Sequence, residues 1–166
     1  FELKKINKPI QINDFGFLFG PIINSAGRID DPNIIIKLFT SNNIKMINQI
    51  VKKLIFLNEK RKFIEKNILE TLNLKKIKYD KNSVIILENN NINEGIIGII
   101  ASRIKTYFNK PVIVITKSGD IYKGSARSTE NLNIGKLIKK ALDLKLLVNG
   151  GGHNLAAGFS IKKDNI

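Results

Sequence analysis

Cysteine is absent from this chain, and histidine and methionine each occur only once in its 166 residues. Without cysteine there is neither a disulfide framework nor a thiolate metal site. No apolar run approaches the roughly 18 residues that a membrane span requires, and no charged-then-apolar leader opens the sequence, so a cytoplasmic protein with no membrane partner is expected. Glycine and proline are also few, at 12 and 4 residues, against a hydrophobic content of 43%. That balance excludes a disordered chain and provides for a packed core. The 14 acidic residues are outnumbered by 28 basic ones and are scattered along the sequence.

The resulting net charge of +14 suits a polyanion such as nucleic acid, although lysines spread over the whole chain also fit a merely lysine-rich composition. Lysine is the default cation here, with 24 of the 28 basic positions, beside 31 isoleucines and 21 asparagines, as an AT-rich coding sequence produces. Arginine therefore stands out at its four positions, Arg28, Arg61, Arg103 and Arg127. Two of them lie in glycine-bearing segments, Gly20-Pro21-Ile22-Ile23-Asn24-Ser25-Ala26-Gly27-Arg28 and Lys123-Gly124-Ser125-Ala126-Arg127-Ser128, and a third such segment is Gly150-Gly151-Gly152-His153. A glycine lets main-chain N–H groups approach an anion, and a guanidinium grips two phosphate oxygens at once. The three segments together describe a phosphate-binding surface. The plainer readings remain open: Arg28 as the basic residue at a helix C-terminus, Arg127 as a solvated strand residue, His153 as a structural histidine beside a turn.

From Ile22 to about Thr40 the pattern is helical but interrupted, and Asp30-Asp31-Pro32 is a restart signal in which Asp31 caps the next helix and Pro32 occupies its first turn. A carboxylate metal site at this pair lacks a second acidic or histidine cluster to complete it. Between Asn43 and Asn73 apolar residues recur at Ile44, Ile47, Val51, Leu54, Leu57, Ile64, Ile68 and Leu72, predicting one long amphipathic helix. Its other face carries Lys45, Lys52, Lys53, Lys60, Arg61, Lys62 and Lys66, a solvated face or, alternatively, a phosphate-contacting one. After a turn around Tyr79 to Asn82 come a strand at Ser83 to Leu87, a helix from Glu94 to Phe108, and a strand at Pro111 to Thr116. Lys117-Ser118-Gly119-Asp120 makes a hairpin turn into a strand from Ile121 to Ser128; Ile134 to Leu144 is helical, and Ala156 to Ile161 is a last strand. The expected fold class is α/β, a long connecting helix followed by a small mixed-sheet domain. The boundaries are 1–41 for the tail of an upstream helical region, 42–74 for the connecting helix and 82–166 for the domain. A start at Phe1, a sole methionine at Met46 and an end just after a strand read as a piece of something longer.

These motifs stand in a familiar order and spacing: Gly20-Pro21 with Asn24, Ala26, Gly27 and Arg28, then Leu57-Asn58-Glu59-Lys60-Arg61, then Glu94-Gly95-Ile96-Ile97-Gly98 running to Arg103, then Lys123 to Ser128, then Gly151-Gly152-His153 with Ala156-Ala157-Gly158. From about Phe15 onward the chain resembles the RecJ single-stranded-DNA-specific exonucleases, of the DHH/DHHA1 phosphoesterases. That resemblance implies a catalytic DHH domain holding two divalent metal ions, manganese or magnesium, a long connecting helix, and a DHHA1 domain, with single-stranded DNA threaded between and nucleotides removed 5′ to 3′. Only the connecting helix and the DHHA1 portion are resembled here. With one histidine and no Asp-His-His sequence, the chain lacks the several ligands that hold two ions about 4 Å apart. It is expected not to cleave DNA alone, its partners being the strand and a DHH domain in cis or in trans.

The resemblance further assigns Arg28, Ser125 and Arg127 to the phosphate at the strand's 5′ end, and His153, with Gly151 and Gly152, to the scissile region. No metal ligand is assigned within the chain. Glu94 to Gly98 opens a helix whose N-terminus could face an anion or whose glycines could serve tight packing. The family often has Trp-His where this chain has Ile92-Asn93, so an aromatic platform and an imidazole are missing at that point. Two other functions remain open: a non-catalytic nucleic-acid-binding remnant, and a fragment of a DHH-type oligoribonuclease or cyclic-dinucleotide phosphodiesterase. A role in DNA repair and recombination is what the family implies.

Overall fold

A computed structural model describes residues 9–72 and 83–166. The expected turn around Tyr79 to Asn82 and the last residues of segment 42–74 lie outside the described residues. The chain divides into two compact units between Ile64 and Glu65.

The first unit is helical: α1 (Ile12–Asp14), a π-helical turn (Phe15–Phe19), α2 (Gly20–Asn24), α3 (Ala26–Ile29), α4 (Asn33–Thr40) and the first part of α5 (Ile44–Thr71). The restart before α4 forms where the sequence predicts, but one residue later than expected, with Pro32 and not Asp31 at the N-cap position. Asn33 N–H donates to Asp31 Oδ1 at 2.9 Å, and Pro32 sits just ahead of the first helical residue. Ile22, Ala26, Ile50, Leu54 and Leu57 make the core. Ser25 is fully buried, and its hydroxyl donates to the carbonyls of Ile22 at 2.6 Å and Leu54 at 3.3 Å, tying the α2–α3 corner to α5.

Asp30 accepts the Asp31 N–H at 2.7 Å and pairs with Lys53 Nζ at 3.0 Å. The backbone hydrogen bond first, and then Lys53, hold its carboxyl below the ordinary aspartate value. A lowered folded value means that the stabilisation is present above the unfolded value of about 3.9 and is lost as pH falls through the folded one. Asp30→Asn, which removes that contribution at every pH, is therefore expected to lower the neutral plateau of melting temperature slightly and to converge with wild type in acid, so that its acid limb is flatter. Parallel acid limbs for variant and wild type would show that the pair is inert.

The 28 residues of α5, about 42 Å at 1.5 Å per residue, carry a buried line that differs from the expected stripe. Ile50, Leu54, Leu57, Asn58, Arg61 and Glu65 are buried, whereas Ile44 is 74% exposed. The line keeps helical spacing but turns polar after Leu57. Arg61, expected on the cationic outer face, is 8% exposed, and its Nε and Nη2 both donate to Asn58 Oδ1, at 3.3 and 3.1 Å. An arginine three residues beyond an asparagine folds back along the helix onto it, which composition alone does not reveal.

In the second unit Glu65 accepts a 2.7 Å bond from Arg103 Nε, and five strands form a mixed sheet. They are β1 (Ile85–Glu88), β2 (Val112–Ser118), β3 (Ile121–Arg127), β4 (Asn149–Gly152) and β5 (Ala156–Ile161), in the order β1-β2-β3-β5-β4. Only β1 and β2 are parallel, joined through α6 (Glu94–Phe108). Asn93 caps α6 by accepting the Gly95 N–H at 2.8 Å, and Asn109 ends it in the left-handed region. The β2–β3 hairpin turns through Gly119, whose φ of 61° glycine adopts freely.

Strand alternation sorts the second unit's core into two layers. On one face Val112, Val114 and Thr116 are fully buried, and α6 packs over β2 and β3. On the other, α7 (Ile134–Asp143) packs over β4 and β5, with Ile134 and Ile138 against Ile115, Tyr122, Ala126, Ala157, Phe159 and Ile161. Gly150 to His153, read from the sequence as a glycine loop, is instead largely the strand β4. A glycine run carries no strand propensity of its own, and its extended form comes from pairing with β5 at Gly150↔Phe159, Gly151↔Gly158 and Gly152↔Ala157.

Candidate nucleic-acid interface

Because α6 covers β2 and β3 while α7 lies on the opposite face, the β5–β4 side of the α6 face stays open. Gly151 and Gly158 are exposed there. The register aligns the motifs across this opening. Ser125 pairs with Gly158, which pairs with Gly151; one rung along, Arg127 pairs with Ala156, whose carbonyl accepts the His153 N–H at 2.8 Å. Each rung thus runs from a polar side chain on β3 across a small residue on β5 to β4 or its end. Two strand spacings, about 10 Å, separate the outer members of a rung.

Arg127 Nη1 donates to Ser125 Oγ at 3.1 Å and to the Ala126 carbonyl at 2.8 Å. Both side chains are half-buried. Gly98 of α6 makes this arrangement possible: a Cβ there would lie 3.0 Å from Arg127 Nη2 and 3.1 Å from Ser125 Oγ. The packing reading of that glycine therefore holds, and at the helix N-terminus Asn93 Oδ1 accepts the Gly95 N–H. Sequence reasoning missed Gly98, Ala156 and Gly158 as parts of this surface. Their signal was the spacing of two shared by 125/127, 156/158 and 151/153, which acquires meaning only once the register is known.

The remaining glycines of the motifs serve other ends. A Cβ on Gly151 would meet nothing within 4 Å, so its backbone is open to a ligand. On Gly152 it would lie 2.4 Å from the Ala156 carbonyl oxygen, on Gly150 it would lie 2.9 Å from Ile138, and on Gly124 it would lie 2.1 Å from the Phe159 ring. These three are packing glycines, and the expectation that Gly150 to Gly152 all offer backbone to an anion narrows to Gly151. Gly20, the first residue of α2, similarly caps the π-helical turn, its N–H bonded to the Phe15 carbonyl, which a Cβ would approach to 2.9 Å.

Arg28 stands half-buried in the last turn of α3, in the first unit. His153 is exposed at the end of β4, and Leu155 N–H donates to its Nδ1 at 3.4 Å. Among the described residues no three histidine or carboxylate side chains gather to hold a metal ion, and Asp30 is engaged by Lys53. These residues do not fit a metal centre. No helix of the described residues is long and apolar enough to cross a membrane.

A mixed sheet with one half-open face floored by small residues, rimmed by Ser125, Arg127 and His153, defines the class: the chain belongs to the DHHA1 domain family, whose model matches residues 81–166. Its likeness within that class is to RecJ. The single-stranded-DNA-specific exonuclease RecJ of Escherichia coli K12 is 34% identical over 160 residues, 92% of this chain and 28% of that protein. The crystal structure of Thermus thermophilus RecJ in complex with Mg2+ matches 97% of this chain and 25% of its own, with a TM-score of 0.80 at 25% identity. A structure of exonuclease RecJ bound to manganese matches 93% of this chain and 38% of its own, with a TM-score of 0.75 at 27% identity. The chain thus spans between a quarter and two-fifths of the length of these relatives.

Proposed function

We propose that this chain is the strand-holding part of a RecJ-like 5′-to-3′ single-stranded-DNA exonuclease, binding the strand and its 5′ phosphate for a metal-dependent catalytic DHH domain in cis or in trans. The observation that carries this reading is the pair of rungs, which bring a guanidinium and a hydroxyl to one side of an open glycine floor. Arg127 and Ser125 take the terminal phosphate, the fork donating to two oxygens while the hydroxyl donates to a third. Gly151 and Gly158 let the sugar-phosphate chain lie against the sheet, beside Gly152 and His153. Arg28 supplies a further phosphate contact from the first unit. Divalent ions, when bound by the catalytic domain, supply the activated water and stabilise the leaving oxygen. This chain's own residues hold the strand, and alone it is inactive. Repair and recombination are the processes that such an exonuclease serves.

The reading is tested by titrating labelled single strands, with and without a 5′ phosphate, into the full chain. Charge-assisted hydrogen bonds worth about 1.5–3 kcal/mol predict roughly tenfold or greater preference for the phosphorylated end. Equal affinity for both ends would sink the proposal. Dinucleotides binding as well as long strands would turn it toward an oligonucleotide phosphodiesterase.

A further inference from the structure

His153 sits in the three-residue connection between β4 and β5, and that connection is pinned with unusual thoroughness for an exposed loop. The first turn of α7 does the pinning. Gly135 N–H donates to the His153 carbonyl at 3.1 Å, and Ile134 N–H donates to the Asn154 carbonyl at 3.1 Å. Asn133 does two jobs: its Oδ1 caps α7 by accepting the Lys136 N–H at 3.0 Å, and its Nδ2 donates to Asn154 Oδ1 at 2.6 Å. From the other side, His153 N–H is bonded to the Ala156 carbonyl at 2.8 Å. Gly135 must be glycine for the loop to seat so closely, since a Cβ there would lie 2.9 Å from the His153 carbonyl oxygen. The N-terminal N–H groups of α7, which a helix commonly offers to an anion, are thereby engaged by loop carbonyls. They position the loop and do not bind phosphate themselves.

This clamp has a chemical consequence at the ring. Leu155 N–H faces His153 Nδ1 at 3.4 Å, so Nδ1 is the acceptor. In a neutral imidazole the other nitrogen then carries the proton. Among the described residues Nε2 has no partner.

We propose that Asn133, Asn154 and Gly135 are positioning residues that hold His153 as an Nε2–H tautomer, making it a hydrogen-bond donor to a phosphodiester oxygen of the bound strand. This rests on the function proposed above. In this role the ring neither accepts a proton from water nor ligates a metal through Nδ1. It donates one hydrogen bond to a non-bridging oxygen, at the far end of the rung from Arg127, so the strand is held at two points about two strand spacings apart.

A single histidine makes the test clean. Long-range proton–nitrogen NMR spectra of the nitrogen-15-labelled full chain, recorded at alkaline pH, report which ring nitrogen carries the proton. The expected result is an unprotonated Nδ1 and a protonated Nε2 in the free wild type, with the Nε2 resonance shifting when a 5′-phosphorylated oligothymidine is added. Asn154→Ala and Asn133→Ser, the latter keeping a capping hydroxyl, are expected to give a tautomer mixture and several-fold weaker strand binding. His153→Gln, which keeps an amide donor, is expected to bind better than His153→Phe. A proton on Nδ1 in the free wild type overturns the inference, and so does an Nε2–H tautomer that survives undiminished in Asn154→Ala. An Nε2 resonance unmoved by a strand that still binds through its 5′ phosphate overturns the donor role. Loss of any 5′-phosphate preference in the wild type instead sinks the strand-holding function, whatever the tautomer.

Discussion

Gly124→Ala is expected to destabilise the second unit by about 3 kcal/mol, a loss that overpacking of a closed core produces at the upper end of its usual range. The new methyl carbon would lie 2.1 Å from Phe159 Cζ and 2.4 Å from both Cε atoms. Phe159 is 8% exposed and belongs to the core cluster of Ile115, Tyr122, Ile134, Ile138 and Ile161, so moving its ring aside disturbs that core. Replacing glycine also restricts the unfolded chain, which favours folding by about 0.4–1 kcal/mol. That gain is too small to offset the clash. For a protein of this size the net loss corresponds to a fall in melting temperature of roughly 6–12 °C, read by circular dichroism. Gly151→Ala is the control: its Cβ meets nothing within 4 Å, so it should melt within about 0.5 kcal/mol of wild type. Adding Phe159→Leu to Gly124→Ala makes room for the methyl group and should recover part of the loss, a coupling that a double-mutant cycle reads directly. If Gly124→Ala melts with the wild type, the packing of Phe159 over β3 is wrong as described.

The second large effect is on binding. Arg127→Ala is expected to weaken association with a 5′-phosphorylated single strand by about 10–100-fold, the equivalent of a charge-assisted hydrogen bond of roughly 1.5–3 kcal/mol, and to abolish the preference for the phosphorylated end. One lost phosphate contact should also flatten the log–log salt dependence by about 0.7 on single strands. Arg127→Lys separates charge from geometry. It should keep most of the salt slope yet lose most of the end preference, because an ammonium cannot reproduce the planar fork beside Ser125. Gly98→Ala approaches the same point from α6, crowding Arg127 Nη2 and Ser125 Oγ from 3.0 and 3.1 Å without removing a cation. It should weaken binding in the same direction with little change in slope. An Arg127→Ala protein that still prefers the phosphorylated end would mean that the rungs are scaffold, and that the end is held elsewhere.

The elements of the second unit were largely legible because their signals are local. Isoleucine and valine runs mark β1 and β2, Asn93 and Asn109 bracket α6, and Gly119 fixes the hairpin turn. What failed were positions whose conformation is imposed by a neighbour. The glycine run of β4 has no preference of its own and becomes a strand only against β5. Arg61 reads as one more outer cation, yet it folds onto Asn58 one turn away. The buried line of α5 keeps Leu54 and Leu57 of the expected stripe but takes in Ile50, while Ile47 and Val51 are half-buried and Ile44 is exposed. With isoleucine this common, several stripes of similar spacing compete along one helix, and only packing chooses among them.

The motif residues Ser125, Arg127 and Gly151 to His153 could be picked out from the sequence because scarce arginine and histidine beside glycine are chemically distinctive in a lysine-rich chain. Which glycine does what could not. Gly124, Gly150 and Gly152 admit Phe159, Ile138 and the Ala156 carbonyl, whereas Gly151 alone of that group faces open space. The sequence by itself determined the mixed α/β class and the family. The tertiary structure decided that Ser125 and Arg127 share rungs with Gly151 and His153, because strand register and sheet coverage arise between segments up to about thirty residues apart, and no local propensity encodes them.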